Sequence, residues 1–317
     1  MRTRTSGQAP FVFSLCDDLY SLPEKARAHE VDLHGGFAVD TKGGGHIYYG
    51  MPGCGLMRIS PDLTRQEIIE LPKDLTPINF HSTRIVEFDG KQRLVLPAND
   101  DAMVAVVGLD GHLDFTLSRP EFDEYQHEET RYKPTDTAFA RDTLYVADGY
   151  GANHISTVDL STRKWKGIFG GKTDDPTAEG LFGTAHGLNP TPDGHHLSIA
   201  DRPHARFQHF GFDGRFHSSH GIPHGSKPCG IDFREDDGGS YAVVGSLRDP
   251  TEGRAAPIYI LDAESYEVVS TVRPKEELGV GLADHIHNVI WYEHSGQLYL
   301  ICQAWNPGHY FVLARRA

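Results

Sequence analysis

A chain of 317 residues with 34 Gly, 19 Pro and 19 His is long for one ordinary domain but within the range of a single all-β domain. Its 30 basic and 44 acidic residues leave a net charge of −14, which weighs against a nucleic-acid backbone or an anionic membrane as partner. No apolar run approaches the ~20 residues needed to cross a bilayer, and the N-terminus turns acidic at Asp17 too soon for a secretory signal.

In chain order the first apolar patch is FVFSLC, residues 11–16, followed by a helical excursion over 21–31. From there the chain becomes a series of short Val-, Ile-, Tyr- and Phe-rich stretches broken by Asp-Gly, Gly-Gly and Pro-Asp, the pattern of an all-β protein. One segment type recurs six times: LHGGFAVD from Leu33, FHSTRIVEF from Phe80, PTDTAFA from Pro134, AHGLNPT from Ala185, PCGIDF from Pro228 and IHNVIWY from Ile286. The second residue of each is a register mark, namely His34, His81, Thr135, His186, Cys229 and His287. These marks stand 43 to 58 residues apart, the length of a four-stranded propeller blade.

Each mark is followed by a second strand (HIYYGMP, RLVLPANDD, TLYVADGYG, HLSIADRPH, YAVVGSLRD, QLYLICQAW) and a third (GLMRIS, AMVAVVGL, HISTVDL, ARFQHFGF, PIYILD, HYFVLA). Fourth strands are weaker: QEIIEL, LDFTLS, KWKGIF, RFHSSH and EVVSTV. A second helical excursion falls at 120–131. The sixth repeat lacks a fourth strand and FVFSLC is spare, so the chain is expected to form one six-bladed β-propeller over 1–317 whose N-terminal strand closes the last blade. Closure of that kind removes an exposed sheet edge.

In a propeller the first strand of every blade lines the central channel. Blades two, four and six are a third of a turn apart, so His81, His186 and His287 converge on the axis at one height. Three imidazoles with open positions left over suit one divalent transition metal, with zinc expected and iron also accommodated. His34 is expected beside them, facing the substrate or supporting the ligands, and His285 in IHIHN is the competitor of His287. The turns after the second strands lie on the same face as the marks. They bring Asn99, Asp100, Asp148, Tyr150, Asp201, Arg202, Arg248, Asp249, Trp305 and Asn306 over the site. Asp148 and Asp201 read as turn caps. Tyr150 beside a dication would serve as a base, and arginine would orient a carboxylate or carbonyl.

The stretches PTDTAFARDTLYVADGYGANHI (134–155) and AHGLNPTPDGHHLSIADRPHARFQHF (185–210) resemble the six-bladed catalytic domain of peptidyl-α-hydroxyglycine α-amidating lyase, an NHL-type propeller. The resemblance implies a zinc on His81, His186 and His287, with Tyr150 as the catalytic base and Arg202 as the arginine of the ADR turn. The implied reaction breaks a carbinolamide N–C bond to give an amide and an aldehyde acid. The acidic residue that helps to hold a structural calcium in that family is Asn288 here, which weighs against calcium. A second family arginine has no match around His34, and Arg248 is its spatial substitute. His34, Arg248, Trp305 and Asn288 are therefore expected to face the substrate. The loop cysteines of secreted members are absent, and Cys16, Cys54, Cys229 and Cys302 form no C-x-x-C pair, so a reducing cytoplasm is expected. The expected function is a metal-dependent lyase acting on a small hydroxylated or carbonyl substrate. The alternatives are a lactonase or other hydrolase, a hydratase or isomerase, and a non-catalytic binding propeller.

Overall fold

A computed structural model describes residues 3–236 and 238–316. Six antiparallel sheets form the blades of a propeller. Blade 1 comprises Ala38–Val39, Ile47–Met51, Gly55–Ile59 and Gln66–Ile69, and blade 2 comprises Arg84–Phe88, Lys91–Ala98, Met103–Gly108 and Leu113–Leu117. Blade 3 is Asp136–Ala140, Thr143–Ala147, His154–Asp159 and Lys164–Gly170. Blade 4 is Ala185–Pro190, His196–Asp201, Arg206–Gly211 and Phe216–Gly221. Blade 5 is Pro228–Asp236, Gly239–Ser246, Ile258–Asp262 and Val268–Val272. Blade 6 takes Ile286–His294, Gln297–Ala304 and His309–Arg316 from the C-terminal segment.

The N-terminal strand Phe11–Leu15 supplies the fourth strand of blade 6, pairing Val12 with Arg316 and Leu15 with Leu313, so the ring closes as the spare FVFSLC segment predicts. A further strand, Ser6–Gln8, folds back on it as a hairpin. Ser270 ties this addition to the outer strand of blade 5: its hydroxyl accepts from Gln8 N at 2.8 Å and donates to Phe11 O at 2.9 Å. Both helical excursions remain short, with an α-turn at Glu24–Arg27 and 3-10 turns at Glu30–Asp32 and Asp123–Tyr125.

The core consists of layers between neighbouring blades. Because successive strand residues point to opposite faces, Ile47 and Tyr49 pack towards blade 6 while Tyr48 packs towards blade 2. The same division recurs in blade 4, where Leu197 and Ile199 face blade 3 and Ala200 and Phe207 face blade 5. The inner strands carry bulges at the marks themselves: pairing slips between Ala185 and Leu188, between Pro228 and Ile231, and between Ile286 and Asn288. A bulge re-aims the side chain at which it occurs, and these three turn His186, Cys229 and His287 inward. Cys16, Cys54, Cys229 and Cys302 are all free thiols. Among the described residues no helix is long and apolar enough to cross a membrane.

Candidate metal centre

Four of the six marks meet on the channel axis as buried imidazoles. The ring centroids of His34 lie 4.4 Å from His81 and 4.3 Å from His287; those of His81 and His287 are 4.8 Å apart, and His186 stands 4.7 Å from His81 and 5.1 Å from His287. His34, His81 and His287 form the tightest set, each offering a ligand atom within 4.8 Å of the others. His34 thus enters the cluster as a potential ligand. His186, one of the three ligands expected from alternate blades, faces Tyr150 instead, with its Nε2 3.1 Å from the phenol oxygen.

The two marks that are not histidine orient two that are. His81 Nδ1 donates to the Thr135 carbonyl at 2.7 Å, and His186 Nδ1 donates to the Cys229 carbonyl at 2.8 Å. Both bonds fix the proton on Nδ1 and leave Nε2 as a lone pair, the arrangement in which imidazole ligates a metal. Thr135 also anchors the backbone of His186, its hydroxyl donating to the His186 carbonyl at 2.7 Å. The signal for this relay in the sequence is the placing of the Thr135 and Cys229 marks between His81, His186 and His287.

Tyr150 is held over the same lone pairs. Its turn follows the strand Thr143–Ala147 and is pinned by Asp148, whose carboxylate accepts from Lys133 N at 2.5 Å, Ala152 N at 2.7 Å and the Tyr125 hydroxyl at 2.9 Å. Gly149 permits the turn to press on blade 4, since a Cβ there would lie 2.2 Å from the Ala185 carbonyl. The phenol oxygen lies 3.2 Å from His81 Nε2 and accepts from Arg202 Nη1 at 2.9 Å. Arg202 is presented by the turn after His196–Asp201, which Asp201 holds by accepting from Gly183 N at 2.9 Å, Arg206 Nε at 2.9 Å and His204 Nδ1 at 2.8 Å. Asp148 and Asp201 are turn caps in the structure.

The other expected residues divide between two sides. Trp305 stacks on His34 with centroids 5.5 Å apart and forms a wall beside His287. Arg248 is exposed and its guanidinium makes no hydrogen bond to the cluster among the described residues. Asn288 lines a separate cavity of about 680 Å³, together with Gly36, Ser82, Asp136 and Gly230. Each of these residues is one or two steps past a mark, so the cavity lies on the far side of the histidine layer from Tyr150. His285 donates from Nδ1 to the Leu247 carbonyl at 2.7 Å.

Burial holds His81, His186 and His287 well below the ordinary imidazole pKa, with neighbouring imidazoles and Arg202 adding to the effect. Burial, then Arg202, lowers His34 to about 4. The cluster is therefore neutral and rich in lone pairs. Burial raises the Tyr150 phenol while Arg202 opposes the rise. His34 Nε2 and both ring nitrogens of His287 are buried without a hydrogen-bond partner among the described residues. One phenol proton can satisfy only one of the lone pairs of His81 and His186. Buried polar atoms left unpaired cost free energy, and a cation with open coordination positions satisfies this donor set.

No family model and no curated protein sequence matches the chain. Among solved structures it is similar to XC5397 of Xanthomonas campestris, a gluconolactonase important in glucose secondary metabolic pathways: TM-score 0.61, 14% identity, with 96% of this chain and 97% of that one covered. It is also similar to virginiamycin B lyase from Staphylococcus aureus, at TM-score 0.52 and 13% identity, with 88% of this chain and 79% of that one covered. A match to Kuenenia stuttgartiensis hydrazine synthase spans 53% of that chain at TM-score 0.49. The first two likenesses establish the propeller fold, and both of those neighbours are enzymes.

Proposed function

We propose that the protein is a metal-dependent lyase acting on a small hydroxylated or carbonyl substrate at the channel mouth. The observation that carries this reading is the placement of the Tyr150 hydroxyl within 3.2 Å of His81 Nε2, 3.1 Å of His186 Nε2 and 2.9 Å of Arg202 Nη1. A base, a guanidinium and a set of metal-competent nitrogens are thereby gathered around one small volume. His81, His287 and one or both of His34 and His186 would hold the ion; zinc fits the all-imidazole donor set, and iron is the second candidate. When bound, such an ion supplies Lewis-acid polarisation of a substrate oxygen and lowers the pKa of groups beside it.

The chain's own residues supply the rest. Arg202 pairs with a substrate carboxylate or carbonyl through its planar donors. Tyr150 as phenolate takes the proton of the substrate hydroxyl; the O–H electron pair becomes the second bond of a carbonyl, the adjacent C–N bond breaks, and Tyr150 returns the proton to the leaving nitrogen. Trp305 and His34 wall the site and limit water. This scheme is the one implied by the resemblance to the amidating lyases over 134–155 and 185–210, and the fold similarity to virginiamycin B lyase supports it.

Lactone hydrolysis is the second reading, favoured by the extent of the match to the Xanthomonas gluconolactonase. Zinc-loaded protein assayed on α-hydroxyglycine-type carbinolamides and on a lactone panel separates the two. The first reading expects carbinolamide turnover that is lost in Tyr150→Phe. Lactone turnover alone would overturn it.

A further inference from the structure

A second group of histidines lies away from the channel. His196, His209, His217 and His220 come from three strands of blade 4 and line one cavity of about 560 Å³ against blade 5. Cross-strand pairing aligns the first two elements: Ser198 stands opposite His209, so His196, Ser198 and His209 share the face that Ala200 and Phe207 present to blade 5. The outer strand should then place His217 and His220 on opposite faces, because they are an odd number of residues apart. A bulge prevents this. His209 pairs with Ser218 and Phe210 with Phe216, which leaves His217 as the extra residue and turns it onto the His220 face. The result is a stacked pair, His196 and His217, at 4.2 Å between centroids, beside a second pair, His209 and His220, at 4.6 Å.

Three of the four rings have one nitrogen engaged and the other without a hydrogen bond among the described residues. His209 Nε2 meets the Tyr266 hydroxyl at 2.8 Å, and that hydroxyl is itself paired with Ser198 Oγ at 2.6 Å. His220 Nε2 meets Ser218 Oγ at 3.0 Å, and His196 Nδ1 lies 3.5 Å from the Asp193 carboxylate. An oxygen partner on one ring nitrogen and a vacant second nitrogen is the pattern of metal-ligating histidine. Carboxylates of Asp193, Glu235 and Glu264 complete the lining. Such a groove favours a cation over an anion.

We infer that the blade 4 groove is a second metal site, taking a divalent transition ion such as Zn²⁺, Ni²⁺ or Cu²⁺ on imidazoles drawn from His196, His209, His217 and His220. As the side chains stand, their nitrogens do not all lie within one ion's reach. Holding one ion there requires rotation of the exposed His217 and of the half-buried His196 and His220. An ion there would tie the outer strand of blade 4 to its two inner neighbours.

The test is metal stoichiometry on chelator-stripped protein reloaded with Zn²⁺, desalted and measured by elemental analysis. His196→Ala/His217→Ala removes the groove pair, and His81→Ala/His287→Ala removes two channel ligands. The groove site predicts that the channel variant retains one equivalent and that combining all four substitutions abolishes it. It also predicts one equivalent fewer in the groove variant than in the wild type, whichever occupancy the channel shows. If the channel proposal fails but this one holds, the wild type retains a single ion that the groove variant loses. Equal zinc content in the wild type and the groove variant, or no zinc on the channel variant, overturns the inference. Circular dichroism of each variant confirms that the folded protein is being compared. A Zn²⁺-dependent rise in the melting temperature of the channel variant, lost in the combined variant, is the second readout.

Discussion

The two histidine clusters are built in opposite ways. In the channel, His34, His81, His186 and His287 come from the opening segments of four different blades and meet because a repeated segment is rotated about one axis; all four are buried. In the blade 4 groove, His196, His209, His217 and His220 come from one sheet and meet through strand pairing and a single bulge; only His209 is fully buried. The first cluster is preorganised by packing and by the Thr135 and Cys229 carbonyls. The second has one buried member and three that are partly or fully exposed. Preorganised ligands with an adjacent base suit catalysis, whereas adjustable ligands on an outer sheet suit binding.

Substitutions in the channel should therefore cost function, and substitutions in the groove should not. The largest effect is expected for His287→Ala, whose nitrogens have no other partner among the described residues: channel metal and turnover should both disappear, measured as zinc content and kcat. Next, Tyr150→Phe should lower kcat by about 10²- to 10⁴-fold with channel zinc unchanged. Loss of zinc together with activity would make Tyr150 a ligand and blur its separation from the histidines.

Acid should destabilise the apo protein through both clusters, since burial also lowers the groove's His209 to about 3. His34 titrates near 4 in the folded apo protein, below its ordinary 6.5, chiefly through burial. The unfolded chain therefore binds more protons between those values, and apo stability should fall as the pH drops from about 6.5 towards 4. His34 alone contributes on the order of 3 kcal/mol. Melting curves across that window check the sign; a flat profile would mean that the channel is wet. The smallest effect is expected for His217→Ala, an exposed residue whose loss should change apo stability by no more than about 0.5 kcal/mol in a denaturant titration.

How much of this was legible differs between the clusters for the same reason. The six marks, the fourth strands and the N-terminal closure follow from a repeat, and a repeat is visible in one dimension. The meeting of His81 with Tyr150 and Arg202 follows from strand direction alone. His34 is expected beside the cluster, but its place among the potential ligands was less accessible, because its segment is irregular up to Ala38 and the register of a short inner strand does not fix a preceding loop. Asn288, expected to face the substrate, lines the cavity beyond the imidazole layer, and the pairing slip beside His287 is not visible in the repeat. The groove depends wholly on a bulge at His217, and period-two alternation assigns that side chain to the wrong face.

Anomalous scattering at the zinc edge, recorded from crystals of zinc-loaded protein, bears most directly on the channel. A peak within bonding distance of His81 Nε2 and His287, shared with His34 or His186, is the predicted result. Zinc-loaded crystals with no peak among those four histidines would contradict a metal-dependent reaction at this site.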